Sequence, residues 1–252
     1  MLGLTAFFIF CTGMFLFMMK KAFENHVVRH EIPIEGKKEK FTIFFISDIH
    51  TRSINKKMIQ NIKEPIHAVI IGGDLADKRT PISKIYRNLR LLQSLAPVYF
   101  VWGNNDREVG EERLRKIFQE TGVQIVENDA VLLPGMVNRC WLSAVDDVST
   151  SNARPELAFK KCRPQDKVIF VSHNPVLFSS MKNFHADVCL GGHYHGGQIR
   201  LGPFGIYPKG SLTVQEGTYI LVSNGYGTTM LPLRLGAKPE CHIICLNFRS
   251  SY

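Results

Sequence analysis

Five short apolar runs, each ending in residues able to hold a metal ion, constrain this chain more than any other feature. Residues 41–46 run into Ser47-Asp48-Ile49-His50, residues 68–71 into Gly72-Gly73-Asp74, and residues 98–102 into Gly103-Asn104-Asn105-Asp106. Further on, residues 168–171 lead to Ser172-His173-Asn174-Pro175, and residues 186–190 to Gly191-Gly192-His193-Tyr194-His195-Gly196-Gly197-Gln198. Runs this short, rich in aromatic and β-branched side chains, read as strands buried on both faces. Helical spacing separates the first three. A polar segment at 55–63 comes first. Thr80-Pro81, an N-cap and N1 pair, then opens a helix carrying Ile82, Ile85, Leu89 and Leu92, and 111–120 buries Leu114, Ile117 and Phe118 before Gly122. Strands alternating with helices imply right-handed crossovers and a parallel sheet, whose ligand sites lie beyond the carboxyl ends of the strands. Further strands are expected at 124–126, 130–133, 140–144, 219–222 and 242–246, and helices at 155–161 and 175–182. The fold class is α/β.

The amino terminus is of another kind. From Leu2 to Met19 no residue is charged, and as a helix this stretch is about 27 Å long, close to the roughly 30 Å hydrocarbon layer. It lacks the basic start and small-x-small site of a cleaved leader, and it lacks the polar face of an interfacial helix. A transmembrane anchor over 1–20 is expected, then a basic juxtamembrane linker and first strand over 21–40, then one domain over 41–252. Lys20, Lys21, Arg29, Lys37, Lys38 and Lys40 all follow the apolar run, so the domain is expected on the cytoplasmic side of the cell membrane. The net charge of +9 suits anionic partners such as a phosphorylated small molecule, a lipid substrate or an anionic membrane surface. No nucleic-acid-binding motif accompanies it, so nucleic acid is not an expected partner. Six cysteines without a CxxC pair read as free thiols in a reducing compartment.

The strand ends together supply Asp48, His50, Asp74, Asn104, His173, His193 and His195. His193 and His195, at i and i+2 among glycines, can turn both imidazoles toward one centre. Mixed oxygen and nitrogen donors suit manganese, iron or zinc rather than calcium, and seven of them exceed one tetrahedral site. In order and spacing these motifs resemble the calcineurin-like metallophosphoesterases, whose signature runs DxH, GD, GNH with a following acid, a single His, then GHxH. A membrane-associated bacterial branch is the closer likeness, through Gly191 to Gln198, Asn224-Gly225-Tyr226-Gly227, Pro232-Leu233-Arg234 and Pro239-Glu240.

That resemblance implies a four-layer α/β/β/α sandwich preceded by one transmembrane helix, and a dinuclear hydrolase of phosphate esters or anhydrides. Asp48, His50 and His195 would hold one ion, Asn104, His173 and His193 the other, and Asp74 would bridge. Two cations lower the pKa of a bridging water, which attacks phosphorus in line. One position departs from the pattern. The family's histidine after the metal-binding Asn, which stabilises the transition state or protonates the leaving oxygen, is here Asn105, and an amide cannot transfer a proton. Either substrates with good leaving groups, such as phosphoanhydrides or aryl esters, are favoured, or another acid is recruited; a phosphodiester or lipid-linked pyrophosphate is the expected substrate class. Asp106 is expected to orient a neighbouring ligand. Arg52, and less strongly Arg107 and Arg234, are candidate phosphate clamps. Two rival readings compete with that hydrolase: a catalytically weak protein holding a phosphorylated ligand in the same pocket, which Asn105 favours, and a metallo-β-lactamase type, which the absence of HxHxDH disfavours.

Overall fold

The computed structural model describes residues 1–250, and for residues 180–182 the backbone alone. Residues 251–252, the end of the 41–252 domain, lie outside the described residues. The chain folds into two six-stranded sheets face to face. The first holds β1 (His26–Glu35), β2 (Glu39–Ile46), β3 (Ala68–Gly72), β4 (Val98–Val101), β5 (Gln124–Ile125) and β12 (Glu240–Arg249), in the order β1-β12-β2-β3-β4-β5. The second holds β6 (Asp129–Leu132), β7 (Cys140–Ala144), β8 (Lys167–Val171), β9 (Val188–Gly191), β10 (Ser211–Gln215) and β11 (Thr218–Val222), in the order β10-β11-β9-β8-β7-β6. Strands β2 to β5 are mutually parallel, as are β7, β8, β9 and β11.

Period-two alternation explains how one strand serves two cores. In β2, Ile43 and Phe45 face the second sheet and meet Leu142, Ile169, Val171 and Leu190 in the shared core. Phe44 and Ile46 face outward, under Ile85, Leu89 and Leu92 of α3 (Ile82–Gln93) and Leu114 and Phe118 of α4 (Glu111–Thr121). The outer face of the second sheet, with Trp141, Val168 and Phe170, is covered by Ala158 and Phe159. These are the four layers α/β/β/α, and the fourth is thin. The helix expected at 155–161 is α5 (Pro155–Ala158) only, and Pro175–Asn183 is a 3-10 segment. With so few apolar positions at 3.6 spacing, neither segment has a stripe long enough to sustain a helix.

One more expectation changes. Pro81 rather than Thr80 is the N-cap of α3, because the Thr80 hydroxyl accepts from the Asp77 amide instead. Gly122 does stop α4 in the left-handed region. Within 21–40 lies the strand β1, which pairs along its whole length with β12, and its Ile32 and Ile34 are buried in the shared core. Pro33 is tolerated because β1 is an edge strand. Ahead of it, α1 (Leu2–Ala22) is exposed from Leu2 to Phe17 and meets the domain only through its last turn. All six cysteines are free thiols.

Candidate metal centre

The carboxyl ends of β2, β3, β4, β8 and β9 converge on one cluster. Asp48, His50, Asp74, His193 and His195 all have φ between +49° and +68°, a region that Asp and His visit more readily than most residues. Each turn there redirects the chain sharply, so that side chains one or two residues apart reach the same point. Glycines admit the close approach: a Cβ on Gly73 would lie 2.4 Å from the His173 ring, and one on Gly192 2.3 Å from an Asp48 carboxylate oxygen.

Around Asp48 the packing is tight and dry. His195 Nε2 lies 3.3 Å from Asp48 Oδ1 and 3.2 Å from His50 Nε2, with all three residues buried. Asp74 Oδ2 stands between two imidazoles, 3.6 Å from His50 Nε2 and 3.3 Å from His173 Nε2. His193 Nδ1 and Asn104 Oδ1 are 3.0 Å apart at the more open side, beside a cavity of about 230 Å³ that Asp74, Asn105, Tyr207 and Thr229 also bound. All seven expected ligands thus lie in one constellation.

Its donors fit cations. Asp48, His50 and His195 form one set of ligand atoms mutually within 4.8 Å, and Asp48, Asp74 and His173 another. His173 donates from Nδ1 to the Gly72 carbonyl, which leaves Nε2 as a buried nitrogen with no hydrogen-bond partner, aimed at the carboxylates. Two buried imidazole nitrogens facing each other at 3.2 Å, as in His50 and His195, are the arrangement a shared positive centre relieves.

Charge is sorted sharply in this cluster. Burial pushes His195 down to about 3, with His50 and Arg234 adding to the effect. His193 is lowered too, by burial and then by His173. For His173 burial acts in the same downward sense, but Asp74 and Asp48 outweigh it and hold the imidazole well above its usual range. The same contest raises His50, through Asp77, Asp74 and Asp48. Asp74 is held low despite its burial by His173, His50 and the Asn105 amide.

Asp106 does not face the cavity. It accepts from the backbone N–H groups of Asp74, Gly103 and Ala76, so it ties the β3 and β4 ends together, while burial and the Asp74 charge push it up to about 7. Asn105 donates from its backbone and its Nδ2 to the two oxygens of Asp74, at 2.8 and 2.7 Å. The arginines expected as clamps are all committed elsewhere. Arg52 stacks 4.0 Å from the Tyr226 ring and donates to the carbonyls of Glu24 and Tyr226 and to Asn25. Its guanidinium is turned toward the joint between α1 and β1, which a motif in sequence cannot show. Arg107 pairs with Asp146, Glu111 and Glu127. Arg234, fully buried, donates to the carbonyls of His195, Asn224 and Gly227.

Sequence reasoning passed over Asp77, whose Oδ2 lies 3.5 Å from His50 Nδ1, close to but short of a hydrogen bond, where the carboxylate partner of a ligating histidine usually stands. Its position three residues after Asp74, in the same turn, was the available signal. Asp147 was also missed: it follows β7, is buried, and keeps one carboxylate oxygen without a hydrogen-bond partner, and its charge acts on His173 and His193.

Two facing sheets with nitrogen and carboxylate donors gathered at their strand ends make a candidate metal centre, and the family match gives its class, a metal-dependent hydrolase of phosphoric esters or anhydrides. The family model of the calcineurin-like phosphoesterases matches residues 41–197, and the chain belongs to that family, whose members are dinuclear metal enzymes. It is 41% identical over 227 residues to the uncharacterized protein YpbG of Bacillus subtilis, covering 88% of each chain. Identity is 25% over 236 residues to the phosphodiesterase YaeI of Escherichia coli, covering 85% of each. It is 30% over 144 residues to the UDP-2,3-diacylglucosamine pyrophosphatase LpxG of Chlamydia muridarum, covering 54% of this chain and 43% of that one.

Proposed function

We propose that this chain is a membrane-anchored dinuclear phosphoesterase acting on a phosphodiester or a lipid-linked pyrophosphate. One observation carries the reading most: Asp74 Oδ2 stands 3.6 Å from His50 Nε2 and 3.3 Å from His173 Nε2, between histidines of two donor sets that share Asp48, which is where a bridging ligand would sit. Asp48, His50 and His195 would hold one cation and Asn104, His173 and His193 the other, with manganese, iron or zinc suited to the donors. Such ions supply charge for the phosphoryl oxygens and a lowered pKa for water.

The chain's own residues do the rest. Asn105 fixes both oxygens of Asp74, so the bridge keeps one orientation. Asp77 faces Nδ1 of the His50 ring and the Gly72 carbonyl holds His173, each leaving Nε2 toward the centre. Asp106 locks the turns carrying Asp74 and Asn104. Asn105 itself cannot transfer a proton, so a substrate whose leaving group is already a good one is favoured, and the pyrophosphate named for one relative is of that sort. The apolar, exposed α1 supports a single-pass anchor over 1–20 and a separate domain over 41–252, and the following lysines support a cytoplasmic domain.

The test is metal analysis of the full chain together with hydrolysis of bis-aryl and mono-aryl phosphates with added manganese. Two bound metals, and turnover that Asp74→Asn abolishes, support the enzyme. A second reading, a metal-containing protein that binds a phosphorylated ligand without turnover, draws on Asn105 and would take over if two metals were found and no phosphoester were cleaved.

A further inference from the structure

The loops at the mouth of the centre are sorted inside out. Residues 199–207 form a tight hairpin in which Leu201 and Phe204 exchange both backbone hydrogen bonds. Its interior is occupied by Arg200, 7% exposed, whose guanidinium donates to the carbonyls of Gly196, Pro203 and Tyr207. Its apolar side chains point outward instead, Phe204 being 78% and Ile206 82% exposed. Beside it, Met230 and Leu231 are 79% and 61% exposed on a loop that Gln198 laces to the hairpin base through Thr229 and Leu231. Water selects the reverse arrangement, charge outside and hydrocarbon inside. Single exposed apolar residues are ordinary, but a group on two interlaced loops marks an interaction surface.

Its position relative to α1 identifies the occupant. The Arg234 amide, three residues from Leu231, donates to the Met18 carbonyl near the end of α1, and Phe17 and Lys21 share with residues 234–238 the lining of a cavity of about 130 Å³. With α1 in a bilayer, the domain meets the hydrocarbon border at that turn, where Lys20, Lys21 and Lys238 fall at the level of anionic headgroups. We propose that the paired loops 199–207 and 229–231 dip into the same anionic bilayer that α1 spans, so that the metal centre opens at headgroup depth. The proposal rests on the reading of α1 as a membrane span. Ile206 and Tyr207 connect the two, since they border the centre's cavity, and the Tyr207 ring stacks on Tyr194 with centroids 5.3 Å apart.

The experiment places a tryptophan at the loop tip, Phe204→Trp, in the full chain reconstituted in phosphatidylcholine–phosphatidylglycerol vesicles whose acyl chains are brominated near the headgroup. Both native tryptophans, Trp102 and Trp141, are buried away from lipid, so the emission of the added one is read as the difference between the variant and the unsubstituted chain in the same vesicles. A blue-shifted emission that the brominated lipid quenches is expected, whereas Leu157→Trp, on the outer layer of the second sheet, should lose none of its added emission. Should Phe204→Trp fail to fold, Leu231→Trp reads the same surface. Emission unquenched in a chain that floats with the vesicles overturns the loop insertion and leaves the anchor standing; if it is also blue-shifted, the patch is covered by protein. A chain that does not float with the vesicles overturns the anchor, and the insertion with it.

Discussion

The two sides of the centre differ in the way they are built. On the Asp48 side every donor is buried, the histidine rings face Asp77 and Arg234, and a loop packs behind them so closely that a Cβ on Gly225 would lie 2.7 Å from Asp48 Cβ. On the Asn104 side Asn104 and His193 are only half-buried, and they hold each other beside the cavity. The closed side is made to retain a charge, and the open side to receive one. Asp74 belongs to both, so it is where the contrast can be broken most completely.

We expect Asp74→Asn to lower kcat/KM on bis-aryl phosphate by more than about 10²-fold and to deplete bound metal, since even outer partners of ligands are worth about 10- to 100-fold. Steady-state assays with metal analysis check this. Next in size, His50→Gln should lose more bound metal than His193→Gln, while His193→Gln should show the larger rise in KM relative to its metal loss. Equal behaviour of the two variants would erase the distinction between the sides. Asp77→Asn should weaken metal binding by about 10- to 100-fold without removing a ligand, read by chelator competition. Asn105→His tests the missing acid: turnover on alkyl phosphomonoesters should rise, by about tenfold because the new imidazole also forfeits the side-chain amide bond to Asp74 Oδ2, against about 10² or more for an optimally placed acid. An unchanged rate with intact metal content would count against it.

The smallest effect concerns what backs the closed side. His242 Nδ1 is 3.0 Å from His30 and its Nε2 2.9 Å from the Ser223 hydroxyl, one residue before the Asn224–Gly227 turn. Burial, then His30, push His242 down to about 3. Being depressed in the folded chain, it stabilises above the ordinary value near 6.5, and that contribution is lost as pH falls from there toward 3. Urea midpoints across that window should therefore drop with acid, by at most a few kcal/mol in free energy, and less in His242→Gln.

The ligand constellation was legible because each donor sits at the end of an apolar run, and the parallel sheet does the gathering. Helices α3 and α4 were legible for the same reason, a complete apolar stripe. What sequence could not show is where long side chains go. Arg52 follows His50 closely, yet it turns to the α1–β1 joint because the Glu24 carbonyl, Asn25 and Tyr226 are brought there by strands far apart in the chain. The thin fourth layer and the true extent of β1 escaped for a related reason: short apolar segments take their form from the surface on which they land.

The order of the first sheet also governs how the molecule can be made. β1 and β2 are consecutive in sequence but do not touch; β12 lies between them, parallel to one and antiparallel to the other. β12 is the last of the strands in chain order, so the slot between β1 and β2 cannot fill before Glu240–Arg249 is in place. Until then β2, which carries Asp48 and His50 at its end, has β3 on one side and an unpaired edge on the other. The late arrival of β12 closes the edge, and its register with β2 from His242↔Phe45 to Phe248↔Glu39 sets the Asp48 turn in place. The edge of β2 that leads to Asp48 and His50 is thus closed by a strand that contributes none of the expected ligands.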